Sequence, residues 1–398
     1  MTASEAALEI YQRVLAAVRG DRLVAETVRL EGDAIRFQGR ADGQGWTQTL
    51  SVPLRGRRVR IAGAGKASTA MARGLLERLD GIVSDGLVVG KRFPGEEPES
   101  LGNVRVVYGN HPIPGEDSLA AGRGMLEFAA SCWENDLVLF CLSGGASALL
   151  EDLPDDVSLE QLRRINERAL ASAATIGEIN QLRRQVSNLK GGKLAARFGG
   201  AQVICLVLSD VEGNDLRTIG SAPLVAPGIP HILIGDRQTA QEAASTAARD
   251  LGFEPVTGPR PLEGEARARA ESFAAEGLRR IGPGQVGIAT GECVVKVQGD
   301  GRGGRAQEFA MAASAILAGH PSCAVLCGST DGTDGPWEYA GGIVDGESVL
   351  RAFRQGCSLA ECMARNDSER FLRACGGLLR TGSTGSNVND LALFVRTA

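Results

Sequence analysis

Three times in the first 210 residues a short apolar run ends in a corner of Gly, Ser or Asp: Val59 to Ala62 before Gly63, Leu137 to Leu142 before Ser143, and Val203 to Leu208 before Ser209. Each reads as a buried strand, a tight corner and then a helix. Amphipathic stripes are legible at Met71, Leu75 and Leu79, and again at Ile179, Leu182, Val186 and Leu189. Such βα units predict an α/β fold with a parallel or mostly parallel sheet and helices on both faces. Ligands of these sheets bind outside the carboxyl ends of the strands, where the corners lie.

A chain of 398 residues holds about two or three domains at roughly 150 residues each. Pro223, Pro227 and Pro230 interrupt any regular element, after which Ile232 to Ile234 resumes as a strand and Thr239 to Leu251 as a helix. The expected domains are therefore 1–230 and 231–398, with Pro255 to Gly264 either a loop inside the second or itself the linker. Lys and Arg number 43 against 48 Asp and Glu, a net charge of −5, so there is no basic footprint for nucleic acid or a membrane surface. No apolar run approaches the roughly 18 residues of a membrane span. Glu5 and Glu9 interrupt the N-terminus, while Ile10, Tyr11, Val14, Leu15 and Val18 recur at helical spacing; a surface helix, not a signal peptide, is expected, and with it a cytoplasmic location. The nine cysteines form no CxxC pair and no zinc spacing, and Cys141, Cys205 and Cys327 sit in or beside apolar runs as small core residues.

The corners carry the chemistry. In Gly63-Ala64-Gly65-Lys66-Ala67-Ser68, glycines let backbone N–H groups approach an anion at a helix N-terminus and Lys66 adds a point charge; the alternative is a structural turn with an exposed lysine. Ser143-Gly144-Gly145-Ala146-Ser147 offers a nest of N–H groups and two hydroxyls for a carboxylate or phosphate, against a nucleophilic serine that lacks the GxSxG elbow. Asp210, at a strand end, suits Mg²⁺ or general-base work, or an ordinary cap. Gly299-Asp300-Gly301-Arg302-Gly303-Gly304-Arg305 places two arginines in a glycine loop, where they either surround phosphoryl oxygens or hang solvated on a flexible hairpin. Asp331 and Asp334 share one loop and are candidates to share a cation with Asp210. A final corner, Thr381 to Asp390, supplies hydroxyls, amides and a carboxylate before the strand Leu391 to Val395. One Lys, several Arg and three strand-end Asp fit phosphoryl transfer better than any other reaction class, because that catalysis is mostly positioning and charge neutralisation.

The chain resembles the glycerate 2-kinase family, whose C-terminal part is called MOFRL. The resemblance rests on Gly63-Ala64-Gly65-Lys66-Ala67, Asn110-His111-Pro112-Ile113-Pro114, Ser143 to Leu150, Lys190-Gly191-Gly192-Lys193-Leu194-Ala195, Ser209-Asp210-Val211, Gly303-Gly304-Arg305 with Gln307-Glu308, Thr330 to Gly335, and Asn387-Val388-Asn389-Asp390. It implies an N-terminal Rossmann-like doubly wound domain, a C-terminal α/β domain with its MOFRL region at about residues 286–396, and a cleft between them. It implies transfer of the γ-phosphoryl of ATP, with Mg²⁺, to a hydroxyl of D-glycerate, usually giving 2-phosphoglycerate. Partners are then the small hydroxy acid and the nucleotide, with room for a homodimer.

In this reading Lys66, Asp210 and Arg305 are catalytic. Gly63, Gly65, His111, Ser143, Gly144, Gly145, Ser147, Arg183, Lys190, Gly303, Gly304 and Asn387 bind substrate or phosphate, and Asp210, Asp331 and Asp334 hold the metal. Arg183 and Lys190 are expected on flanking faces of the helix around Ile179 to Leu189. The chain departs from the family at Ala146 where a glycine is usual, at Ser221-Ala222-Pro223-Leu224 where Ser-Gly-Pro-Thr is usual, and at Ala306 where Asn is usual. Two other functions stand beside the kinase: an NAD(P)-dependent hydroxypyruvate reductase, a label often given to members, and a catalytically silent nucleotide-binding protein. The reductase lacks its fingerprint, since Ser68 stands where GxGxxG needs the third glycine.

Overall fold

A computed structural model of the chain describes residues 1–40, 45–93, 98–171, 176–258, 261–335 and 338–397, with the backbone alone between 166 and 180. The contacts divide it into two compact units, Arg19–Asp236 and Met1–Val18 with Arg237–Ala398. These differ from the expected 1–230 and 231–398 at both ends of the first domain. His231–Gly235 pairs in parallel with Gln202–Leu208 and so completes the sheet of the middle unit, while the first 18 residues pack with the C-terminal one.

The middle unit carries a seven-stranded sheet in the order His231–Gly235, Gln202–Leu208, Asp136–Ser143, Arg58–Ala64, Val83–Lys91, Val104–Gly109, Ser100–Leu101. All neighbours are parallel except the last pair. Every residue of Asp136–Ser143 is buried, the continuous apolar pattern of a strand covered on both faces. Phe140 from this strand meets Phe198 edge to face, with ring centroids 6.4 Å apart. A separate antiparallel sheet is formed by Val28–Glu31, Ala34–Gln38 and Thr49–Pro53.

The chain lays strands on one side of Arg58–Ala64 and then returns to its other side with Asp136–Ser143. Strand order therefore reverses between these two neighbours, and the loops leaving their carboxyl ends flank the crevice where doubly wound sheets bind ligands. Two of the three expected corner helices are reduced. Gly145 leads into only the four-residue helix Ala146–Leu149, and Ser209 into a short 3₁₀ turn at Glu212–Asn214. The helix expected around Ile179 to Leu189 is Ile176–Gln185, which leaves Lys190 outside it; the Ile179 side chain lies outside the described residues.

The other unit is built on six strands in the order Glu254–Thr257, Gln285–Gly291, Asp390–Arg396, Cys323–Ser329, Gly341–Asp345, Leu378–Leu379. Only the first pair is parallel. This sheet departs from the βα pattern because the C-terminal strand Asp390–Arg396 inserts antiparallel between two strands of like direction. The stretch expected as a loop from Pro255 begins as the strand Glu254–Thr257; residues 259–260 lie outside the described residues. Helix Arg305–Leu317 buries Phe309 to Ala313 in the unit's core. Helix Ala3–Ala17 starts with a reciprocal cap, Glu5 N–H to Thr2 Oγ1 and Thr2 N–H to Glu5 Oε2, and buries Ala6, Ala7, Ile10, Tyr11 and Val14. The Tyr11 hydroxyl donates to the Ser329 carbonyl at 2.6 Å. All nine cysteines are buried free thiols, as expected of core residues. Among the described residues no helix is long and apolar enough to cross a membrane.

Gly65 adopts φ +134°, and a Cβ there would lie 2.2 Å from Ser143 Oγ and 2.5 Å from the Ser143 carbonyl. Gly65→Ala should destabilise the middle unit by about 2–3 kcal/mol, combining overpacking with backbone strain. A urea unfolding midpoint equal to wild type would show that the Ser143 loop yields freely.

Candidate active site

The two loops at the strand-order reversal are bonded to each other. Lys66 N–H donates to the Gly144 carbonyl at 2.9 Å and Ala67 N–H to Ser143 Oγ at 2.9 Å. Gly65 N–H is taken by the Val89 carbonyl at 3.1 Å, and Ser68, fully buried, bonds through Oγ to the Gly65 and Val89 carbonyls. The amides of the first corner are thus consumed inside the fold. They do not form the expected anion nest of Gly63 and Gly65; these glycines serve close packing, a Cβ on Gly63 meeting the Cys141 carbonyl at 2.8 Å. What faces outward is Lys66. Gly145, at φ +83°, lies against it: a Cβ at Gly145 would be 3.0 Å from Lys66 Cγ and 3.4 Å from His111 Nε2. Lys66, His111 and Gly145 therefore share one spot, beside the helix Ala146–Leu149, whose Ala148 and Leu149 N–H groups donate to the Gly145 carbonyl at 3.0 and 3.2 Å.

Ser147 Oγ lies 2.8 Å from Ser221 Oγ. Ser221 stands in an unusual turn, with Gly220, Ser221 and Ala222 at φ +57°, +61° and +61°. For Ser and Ala a left-handed backbone costs on the order of 1–3 kcal/mol each. The turn is held because the Ser221 and Ala222 carbonyls accept from Gly191 and Gly192 N–H at 3.0 and 2.7 Å. Ala222 thus adopts the conformation for which glycine is the easy residue. The Ala146 methyl packs on Gly220, where a Cβ would approach it to 3.2 Å.

Lys190, expected to bind substrate, is committed elsewhere. It is 2% exposed and its Nζ is paired with Glu151, which is fully buried and also accepts from Ser187 Oγ at 2.6 Å. Burial pulls the Lys190 pKa down, with the Glu151 carboxylate opposing. A buried pair of this kind loses about 3–5 kcal/mol when one partner is removed, so Lys190 anchors the loop rather than a ligand. Arg183, in the last turn of Ile176–Gln185, is half-buried within the field of the same Glu151. Asp210 is half-buried just past the end of Gln202–Leu208, the strand next to Asp136–Ser143.

In the C-terminal unit, Gly291, Asp390 and Ser329 lie in register across three strands, and the remaining candidates gather at this edge. Arg305 donates Nε and Nη2 to the two Asp390 oxygens at 2.6 and 3.1 Å and Nη1 to Glu292. Burial would lower its pKa, but Asp390, Glu292 and Asp334 together raise it. The glycine loop before it is no solvated hairpin. Gly301 N–H donates to the Arg365 carbonyl at 2.8 Å, Arg302 N–H to Asp367 Oδ1 at 3.1 Å, and a Cβ on Gly303 would sit 2.0 Å from Ser368 Oγ. Gly304 makes room for Asp334, whose two oxygens accept from Ala306 and Gln307 N–H at 3.1 and 2.7 Å and cap the helix. Asp331 Oδ1 accepts from Ser329 Oγ and from Thr333 N–H and Oγ1. Asn387 is buried beside Val388, whose N–H donates to Thr330 Oγ1 at 2.9 Å.

These partners bear on the metal reading. Asp334 spends both oxygens on a helix terminus, which does not suit a direct cation ligand, whereas Asp331 spends one oxygen on three donors. Among the described residues no group of three or more His, Cys, Asp or Glu side chains is arranged to hold a metal. Sequence reasoning passed over Glu151, Ser221, Glu292 and the part played by Asp390. Glu151 and Asp390 follow quoted motifs or end them, but nothing in their spacing identifies the cation each one neutralises. Gln307, quoted only as part of a motif, is fully buried with neither amide atom hydrogen-bonded among the described residues.

The chain matches two family models, "Domain of unknown function (DUF4147)" over residues 6–245 and "MOFRL family" over 285–390. It is 34% identical to the D-glycerate 2-kinase of Thermotoga maritima, with 97% of each chain covered, and 30% identical to the glycerate 2-kinase of Pyrococcus horikoshii, with 100% of this chain and 98% of that one covered. The crystal structure of a Thermotoga maritima glycerate kinase superposes with a TM-score of 0.81 at 32% identity over 99% of both chains.

Asp334 supplies a test of the C-terminal cluster. Burial first, then the Asp390 charge, raise its pKa to about 7, against the two amide donors and Arg305. A carboxyl raised in the folded state binds protons that the unfolded chain releases, so its contribution is full below about pH 4 and is lost as pH rises through about 7. The stability of wild type relative to Asp334→Asn should fall across that window in thermal melts. A pH-independent difference would contradict the raised carboxyl.

Proposed function

The chain belongs to the glycerate kinase family, in which a DUF4147 segment is followed by a MOFRL segment, and from that premise we propose that it transfers the γ-phosphoryl group of ATP to a hydroxyl of D-glycerate, giving 2-phosphoglycerate. The observation that carries the reading is the convergence of Lys66, His111 and Gly145 at the strand-order reversal. A lysine beside a histidine, on a corner held by backbone bonds to the neighbouring loop, suits an anion whose charge shifts during reaction.

In this proposal the substrate hydroxyl oxygen attacks the γ-phosphorus, the bond to the β–γ bridging oxygen breaks, and ADP leaves. Lys66 neutralises charge on the transferring group, and Asp210 takes the hydroxyl proton. Ser147, oriented by Ser221, together with Arg183 and His111, holds the acid's carboxylate. Arg305, Gly303, Gly304 and Asn387 are assigned to the nucleotide's phosphates, and the nucleotide enters as its magnesium complex. The aspartates of the C-terminal unit are given no step through that ion, since their oxygens serve caps and turns. We assign the protein to the cytoplasm and take the acid and nucleotide as its partners. Ser68, buried and doubly bonded where a dinucleotide fingerprint needs glycine, counts against the reductase.

A coupled ADP-release assay across glycerate, tartronate and erythronate should give the highest kcat/KM with glycerate. No ADP release with any acid, together with NADH oxidation by hydroxypyruvate, would replace the kinase with the reductase. Lys66→Ala should lower kcat by about 10²-fold or more without shifting the melting temperature; near-normal turnover would remove it from the mechanism. Arg183→Met should raise KM for the acid well above any effect on ATP. Equal changes in both would contradict carboxylate anchoring.

A further inference from the structure

Arg305 is held by two acids in contrasting settings. Asp390 is 2% exposed, stands at the start of Asp390–Arg396 in register between Gly291 and Ser329, and accepts from Nε and Nη2 together. Glu292 is 47% exposed, lies one residue past the end of Gln285–Gly291, and accepts from Nη1 of the guanidinium. Its other oxygen is reached by Asn389 Nδ2 at a long 3.4 Å. A two-point bond to a carboxylate fixed in the sheet sets the plane of the guanidinium. A one-point bond to a half-exposed carboxylate beyond the strand is screened by water and exchanges at small cost.

We propose that Asp390 is a positioning residue that aims Arg305, and that Glu292 is a displaceable anion that occupies the outward Nη1 until a phosphate takes its place. The inference rests on the assignment of Arg305 to the nucleotide's phosphates. A phosphate offers more charge and more acceptor oxygens than the carboxylate it displaces, so the exchange favours the nucleotide, while Glu292 gives Nη1 an acceptor in its absence. Glu292 also sets a selectivity: weak monoanions gain little by displacing a carboxylate, whereas a polyphosphate does.

Binding of inorganic tripolyphosphate to the full chain, followed by titration calorimetry, tests both roles. Glu292→Gln removes the competitor and should tighten binding by about two- to fivefold, the scale of one exposed ion pair. The gain should vanish when Glu292→Gln is combined with Arg305→Ala. Asp390→Asn keeps the shape but loses the two-acceptor fork, and should weaken binding. Unchanged or weaker binding in Glu292→Gln, or a gain that persists without Arg305, would overturn the displaceable anion; unchanged or tighter binding in Asp390→Asn would overturn the positioning role. Glu292→Gln alters an exposed side chain, so the test of the displaceable anion does not hinge on a buried variant folding. Should the wild-type chain release no ADP with glycerate while the Arg305-dependent gain is present, the functional reading falls and this inference stands.

Discussion

Between Arg58–Ala64 and Asp136–Ser143 two backbone corners come so close that one of them has no room for a side chain. Gly65 accepts that proximity, and the bonds from Lys66 and Ala67 to the Ser143-Gly144 loop lock it. The contact decides what the corner is for. Because its own amides are spent on cohesion, the charge it offers is that of a side chain, projected from a backbone that is bonded on both sides. The Cα of that lysine is held in place from both sides, and only the side chain's own torsions remain to be fixed.

The molecule also separates cations by the depth of their partners. Lys190 and Glu151 are both inside, so their pair is a fastening between the loop after Ile176–Gln185 and the segment after the Ala146–Leu149 helix. Arg305 has one deep partner and one shallow one, and Lys66 sits half-buried at a crevice. Residue type alone does not distinguish these cases, because all three are basic residues near glycines. Burial of the counter-charge does: a fully desolvated pair is costly to open, whereas a half-exposed one exchanges with solvent and ligands.

Much of the middle unit was legible because its strands are covered on both faces and therefore read as unbroken apolar runs ending at glycine corners. The strand-order reversal lies at two of those corners, where Lys66 and Gly145 are adjacent and Ser143 is buried as an acceptor for Ala67 N–H. Less visible was everything that depends on pairing across the sequence. His231–Gly235 reads as the first strand of a new domain until its partner Gln202–Leu208 is known. Lys190 reads as a ligand-binding cation until Glu151 is seen beneath it. Asp331 and Asp334 carry the composition of a metal site, but an aspartate serves a helix cap or an Asx turn equally well, and only the positions of the acceptors' donors decide. The glycines at 299, 301, 303 and 304 looked like freedom and are contact: the 365–368 segment lies against the first three and Asp334 against Gly304.

Helix Ala3–Ala17 belongs to a body whose remainder begins only at Arg237. On a ribosome the helix emerges first and its wall last, with a whole α/β unit made in between. Its apolar face, including Tyr11, must wait through the synthesis of more than half the chain before Ser329 exists to receive the phenolic hydroxyl. The intervening residues Arg19–Asp236 contain their own sheet and are free to complete it meanwhile. Assembly is therefore ordered from the inside outward, and the body that carries Arg305 closes only with the final strand, Asp390–Arg396, which brings in Asp390. The guanidinium of Arg305 therefore gains its two-point partner only after the chain has grown a further 85 residues to Asp390.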